Sequence, residues 1–285
     1  MTFHELKTLL EQNAGRKIAV MGIPYDANSS FMRGPAEAPP LIRQALFSGA
    51  SNMWTETGVH LGAGDVLLDA GDLTLDPAGD PLAVIEDSTA FLLEHSILPI
   101  ALGGDHAISY PIIRAFRKKY RKLNILLFDA HPDLYNEFQG NRYSHACPFA
   151  RIMEEQLTDR LVQVGIRTMN AHQRRQAEKF GVEVIEMQHW NNENPLSFDA
   201  PVYISLDMDV LDPAFAPGVS HREPGGFTTR QVIDTLHRIK GTIVGADIVE
   251  YNPRNDASGV TATVGAKLLK EIAGQLILRN YPEAR

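Results

Sequence analysis

The chain has 285 residues, 44% of them hydrophobic, and its 35 acidic against 27 basic side chains give a formal net charge of −8. That balance argues against a nucleic-acid partner or an anionic membrane, either of which calls for a basic face. No stretch reaches the roughly 18 apolar residues of a membrane span, and the single cysteine, Cys147, excludes an intrachain disulfide, so a soluble protein of the reducing cytoplasm is expected.

In chain order, "MTFHELKTLLEQNAGRK" carries acids and no signal-peptide core, and reads as a short amphipathic helix. Short β-rich apolar runs then recur at 17–23, 65–71, 97–103, 124–130, 160–166, 182–187, 201–209 and 242–250. Several are apolar on both faces, as strands are when helices cover both sides. Helix-like segments lie among them at 83–95, 109–121, 171–180, 228–240 and 260–280. Ser109 is placed to cap the second of these, with Pro111 tolerated in its first turn. Alternating strand and helix implies a parallel sheet. With no repeat, low-complexity tract or linker, residues 1–285 are expected to form one domain. A three-layer doubly wound sheet and an eight-stranded barrel both fit, and both collect ligands at the strands' C-terminal ends.

Three of those strand ends carry clustered polar residues. "NILLFDAHPDLY" closes on Asp129, His131 and Asp133, each two apart. Side chains alternate along extended backbone, and Pro132 biases His131 towards that conformation, so all three can aim at one point. "VYISLDMDVLDP" repeats the pattern with Asp207 and Asp209, and "ALGGDHAIS" adds Asp105 and His106. Gathering four carboxylates without cations is strongly repulsive. Asp129, Asp133, Asp207 and Asp209 balance two divalent ions, and His106 and His131 complete the shells. The oxygen-rich set favours two Mn²⁺ per chain, or a similar hard ion, over a closed cysteine-type zinc site. Two such ions share carboxylates and lower the pKa of a bridging water towards neutrality, which is a hydrolase's nucleophile. Asp133 is then placed both to bind metal and to accept that water's proton.

The motifs "GGDHAIS", "DAHPD" and "SLDMDVLDPAFAPG", in that order, resemble those of the ureohydrolase (arginase–agmatinase) family, over a span from about Gly22 to Gly265. The resemblance implies a three-layer α/β/α sandwich around a mainly parallel eight-stranded sheet, and it favours that fold over the barrel. It puts the family's manganese ligands on the same six residues, leaves Asp105 as a supporting acid, and implies a homo-trimer or homo-hexamer. In "RYSHACPF", His145 is similar to a histidine these enzymes keep at the site mouth as a proton shuttle. In "GADIVEYNP", Glu250 matches the glutamate that pairs with the substrate's guanidinium.

The loop "PGVSHREPGG" departs from the Gly-Thr-Gly-Thr-Pro-like loop of many relatives. Its Gly-Val-Ser start resembles the formimidoylglutamate branch, while "SHACPF" and "EPGG" look agmatinase-like. "VGIRTMN" lacks the acids arginases offer to an α-amino group, and the end at Arg285 leaves no long C-terminal tail. The expectation is therefore hydrolysis of agmatine to putrescine and urea. Formimidoylglutamate or a guanidino acid are the alternatives, and a non-catalytic family member is the different-class reading, disfavoured because all six ligand positions are filled. An anionic substrate tail would look to Arg142 or Arg222, and an ammonium tail to Tyr135, Glu137 or Tyr143. Cys147 reads as a small buried side chain, and His221 and Arg222 as solvent-facing.

Overall fold

Side chains that are apolar on both faces of a strand must be covered on both sides, and the computed structural model shows how. It describes residues 1–13, 15–64, 66–191, 194 and 196–281, so Asp65, the first residue of the expected run 65–71, and the last four residues lie outside the described residues. The strands are β1 (Ile18–Ile23), β2 (Leu67–Asp72), β3 (Leu98–Gly103), β4 (Asn124–Phe128), β5 (Arg160–Ile166), β6 (Glu183–Glu186), β7 (Val202–Asp207) and β8 (Ile243–Val249). All pair in parallel, in the order β2-β1-β3-β8-β7-β4-β5-β6. The sheet is open at β2 and β6, which excludes the barrel.

Among the described residues eight α-helices flank it: α1 (Phe3–Gln12), α2 (Ala38–Leu46), α3 (Pro81–Glu94), α4 (Ser109–Lys119), α5 (Pro148–Glu154), α6 (Ala171–Phe180), α7 (Thr229–Arg238) and α8 (Val260–Asn280). Helices α2, α7 and α8 bury residues such as Ile42, Leu236 and Ile272 against one face. Helices α1, α3, α4 and α5 bury Leu6, Leu92, Phe116 and Ile152 against the other. Thr2, Asn170 and Thr228 each start a helix with a reciprocal capping box.

One expected cap is corrected. Ser109 is the first residue of α4 and not its cap, because the helix is entered through a short 3₁₀ turn, His106–Ile108. Asp105 caps that turn, accepting from the Ala107 N–H at 3.1 Å.

The chain lays down β1 to β3, crosses to β4 to β6, and returns to fill the gap with β7 and β8. Strands β3, β8, β7 and β4 are therefore neighbours, although their residues are far apart in sequence. The rim over their C-terminal ends is where such folds leave a crevice.

Candidate metal centre

Each central strand delivers its polar residues to that rim. His106 follows β3, Asp129, His131 and Asp133 follow β4, Asp207 ends β7 with Asp209 in the turn after it, and Glu250 follows β8. Gly104 lets the end of β3 approach the loop after β1, because a Cβ there would lie 1.7 Å from the Tyr25 carbonyl oxygen. Asp133 and Glu250 hold left-handed backbone, at φ 48° and 64°. Such conformations cost about 1–3 kcal/mol each in a residue other than glycine, a strain that accumulates at functional sites.

The acids divide their oxygens between backbone and centre. One oxygen of Asp129 accepts from His131 N–H at 2.6 Å, one of Asp209 from Ala130 N–H at 3.1 Å, and one of Asp207 from Asp209 N–H at 2.7 Å. The other oxygens converge on the histidines. Nδ1 of His106 lies 3.3 Å from Asp129, 3.1 Å from Asp133 and 3.3 Å from Asp207. Nδ1 of His131 lies 3.0 Å from the second oxygen of Asp209 and 3.6 Å from the Asp129 oxygen that accepts its own N–H. Two ligand groups result, His106–Asp129–Asp133 and Asp129–His131–Asp209, with the donor atoms of each within 4.8 Å of one another. They meet at Asp129.

Two observations fit cations there. His106 Nδ1 and Asp129 Oδ2 are buried without a hydrogen-bond partner, and buried polar atoms are rarely left so. The carboxylates also repel. Burial and the charges of Asp133 and Asp209 push Asp129 up to about 6, and burial with Asp209 and Asp129 pushes Asp207 well above the ordinary range. Burial opposes charge on His106 and on His131, yet the surrounding carboxylates hold both rings protonated well above the usual histidine range. Without metal, protons supply the positive charge the cluster needs. Four carboxylates and two imidazoles suit hard or borderline divalent ions.

Above this floor is a pocket of about 190 Å³, lined by His131, Asp133, Asp207, Asp209, His145 and Glu250, with Ser30, Tyr135, Thr168, Asn170, Gln173 and His221 among the remaining walls. His145 is only 7% exposed. Its Nδ1 meets Glu250 Oε1 at 2.7 Å and its Nε2 meets Ser30 Oγ at 2.8 Å. Burial works against charge on His145, but Glu250 prevails and lifts its pKa to about 9. Glu250 Oε1 also accepts from the His106 N–H at 2.9 Å, which leaves Oε2 without a partner among the described residues. Asp105 stands behind, accepting from Asn28 N–H at 2.9 Å as well as capping its own turn.

Several expectations change. His221 is not solvent-facing but lines the pocket, its ring 5.7 Å from His131 and 5.4 Å from His145, because its loop folds back over the rim. Arg142 turns to Asn136 and Glu154, and Arg222 to the carbonyls of Pro217 and Asn255, so neither reaches the pocket. Of the residues proposed for a cationic tail, Tyr135 lines it and Glu137 and Tyr143 do not. Cys147 is buried, donates to the Asn141 carbonyl, and is pushed up to about 12 by burial, so no thiolate competes with the metal centre. Sequence reasoning missed Ser30 and Glu223, the latter 3.8 Å from His131 Nε2. Both sit on loops without periodicity, and nothing in the sequence marks them.

The family model described as "Arginase: Arginase family" matches residues 16–274. Mitochondrial arginase 1 of Arabidopsis thaliana is 46% identical over 275 residues, covering 90% of this chain and 80% of its own. The solved arginase of Medicago truncatula superposes with a TM-score of 0.89 at 40% identity, over 96% of this chain and 93% of that one. The agmatine ureohydrolase of Thermoplasma volcanium follows with a TM-score of 0.82 at 30% identity, over 94% and 92%.

Proposed function

Since this chain belongs to the arginase family of hydrolases, we propose that it cleaves the guanidino group of free arginine, releasing urea and ornithine. The observation that carries the reading is the meeting of two ligand groups at Asp129, on the floor of a pocket whose wall holds Glu250. His106, Asp129, His131, Asp133, Asp207 and Asp209 would hold two divalent ions, manganese by preference of the oxygen-rich donor set. When bound, the pair supplies positive charge and a water acidified towards neutral pH.

The chain's own groups do the rest. Glu250 turns its free carboxylate oxygen to the cationic guanidinium, a charge-assisted contact that also orients the carbon. Asp133 accepts the proton of the attacking water. His145, kept protonated by Glu250 and bridged to Ser30, delivers a proton to the departing nitrogen, which leaves poorly until protonated.

Arginine is preferred over the agmatine suggested by the sequence for two reasons. The rim offers hydroxyl and amide groups, Ser30, Tyr135, Thr168 and Asn170, and among the described residues the acids lining the pocket are Asp133, Asp207 and Asp209 on its floor and Glu250 in its wall. Such a rim can hydrogen-bond the carboxylate of an amino acid as well as an ammonium, and we weigh that above the lack of acids in "VGIRTMN". The 46% identical relative is also named an arginase. A panel of arginine, agmatine, a guanidino acid and formimidoylglutamate, assayed for urea and formamide with manganese-loaded protein, tests this. Arginine should give the highest kcat/KM, and a preference for agmatine would restore the sequence-based expectation. Activity at full rate without metal would remove the hydrolytic reading altogether. We further read residues 1–285 as one domain that assembles as a trimer or hexamer in the cytoplasm; no described helix is long and apolar enough to cross a membrane.

A further inference from the structure

Asp247 lies in the middle of β8, wholly buried and in register with Ser205 on β7. Its partners are hydroxyls: Ser205 Oγ donates to Oδ1 at 2.7 Å, and Ser109 Oγ and Tyr203 Oη donate to Oδ2 at 2.8 and 2.9 Å. None of these partners is a lysine or arginine. Burying an acid this way costs several kcal/mol that an apolar side chain would avoid, so stability alone does not account for it.

Proton counting gives it a task. A hydroxyl has one proton, and Ser205 commits its own to Asp247. Towards any other neighbour Ser205 can only accept; Ser109 Oγ, 3.5 Å away, gives its proton to Asp247, and the nearer neighbour is Nε2 of His106 at 3.0 Å. Nε2 must therefore carry the hydrogen. The neutral ring then has its lone pair on Nδ1, the atom that faces Asp129, Asp133 and Asp207 and that lacks a hydrogen-bond partner.

We propose that Asp247, acting through Ser205, is a positioning residue that fixes His106 in the tautomer able to ligate a divalent cation. The inference rests on the reading of His106 as a metal ligand. It predicts that the two cation sites differ in their dependence on Asp247. The site built on His106 relies on it, and the site built on Asp129, His131 and Asp209 does not, because Asp247 and its hydroxyl partners do not reach His131, whose Nε2 faces Glu223 at 3.8 Å.

The test is manganese content and affinity of the full-length protein, with electron paramagnetic resonance to tell a coupled pair from isolated Mn²⁺. In Asp247→Asn the amide N–H₂ donates to Ser205, whose hydroxyl turns to donate to Nε2 and drives the ring proton onto Nδ1. This variant should keep one tight Mn²⁺ per chain, show an isolated-ion spectrum, and bind the second ion about 100-fold more weakly. Ser205→Ala removes the relay without forcing the wrong tautomer and should weaken the same site about tenfold. Tyr203→Phe leaves the Ser205–Asp247 bond in place and should bind like the parent. If Asp247→Asn does not fold, Ser205→Ala decides. Two sites at the parent's affinity in Ser205→Ala, or equal loss in Tyr203→Phe, overturn the proposal. A parent that never holds two ions removes the metal reading beneath it, so the two failures are distinct.

Discussion

Glu250 makes three demands of one side chain. Its left-handed backbone, at φ 64°, turns it back from the end of β8 over the pocket. Oε1 holds the His106 N–H and the His145 ring, and on the proposed reading Oε2 is the oxygen that meets the substrate. The pairing also sets the charge of His145. For a histidine with a raised folded-state pKa, the stabilising interaction is fully present below its unfolded value near 6.5 and is lost as pH rises through about 9. If protonated His145 is the acid for the departing nitrogen, activity should fall over the same range. Replacing Glu250 with Gln removes the dominant influence raising that pKa, so the alkaline limb of kcat should move down towards neutral pH. The same change removes a charge-assisted contact worth about 1.5–3 kcal/mol, or roughly 10–150-fold in kcat/KM at ~1.4 kcal/mol per decade. A pH–rate profile of Glu250→Gln whose alkaline limb coincides with the parent's would uncouple the two residues.

At the scale of elements, what the sequence makes legible follows from burial. Strands β1, β3, β4, β7 and β8 are buried along their whole length, so each reads as a largely apolar run. The acids and histidines stood out because they interrupt such runs at one end. Helix α2 escaped because Pro39 and Pro40 open it, and α5 because it has only 7 residues. The strand order was hidden for a different reason: pairing β7 between β8 and β4 is a long-range choice that no local pattern encodes. Ser205 and Asp247 did leave a signal, as polar residues inside apolar strands, and that signal went unread. Another long-range contact ties α8 to the loop before β2. Glu271, wholly buried on α8, accepts from the Glu56 N–H at 3.1 Å, from Lys267, and from His237 at 2.9 Å. Burial opposes its charge, but those partners hold its pKa below the ordinary value of 4.5. An acid with a lowered folded-state pKa stabilises above its unfolded value and loses that contribution as pH falls through the folded one. Glu271→Gln should therefore lose about 2–3 kcal/mol at neutral pH and converge with the parent in acid, below pH 4.5. Urea denaturation at pH 7 and pH 3 checks this, and a constant difference at both would assign the effect to packing.

For the whole molecule, the candidate metal centre is a strain shared by four adjacent strands. Asp129, Asp207, His106 and His131 all have folded-state pKa values above their ordinary ones. For acid and base alike, a raised value means that stability present at low pH is lost as pH climbs, and for Asp129 that loss runs through about 6. The metal-free protein should therefore become less stable between pH 5 and pH 8, as protons leave a cluster that needs positive charge. On the proposed reading divalent cations would replace those protons, and ligands that must shed protons bind metal more tightly as pH rises. Both effects act in the same direction. Manganese at 100 times its dissociation constant stabilises by about 2.7 kcal/mol, which at about 2–4 °C per kcal/mol raises the melting midpoint by roughly 5–10 °C. At a fixed manganese concentration the rise should be larger at pH 8 than at pH 5, and chelation should reverse it. Calorimetry of the chelated and reloaded protein at both pH values measures the difference directly. An equal rise at the two, or a larger one at pH 5, would mean that the six side chains are not discharging protons to bind cations, and that the charge balance argued from Asp129 outward is wrong.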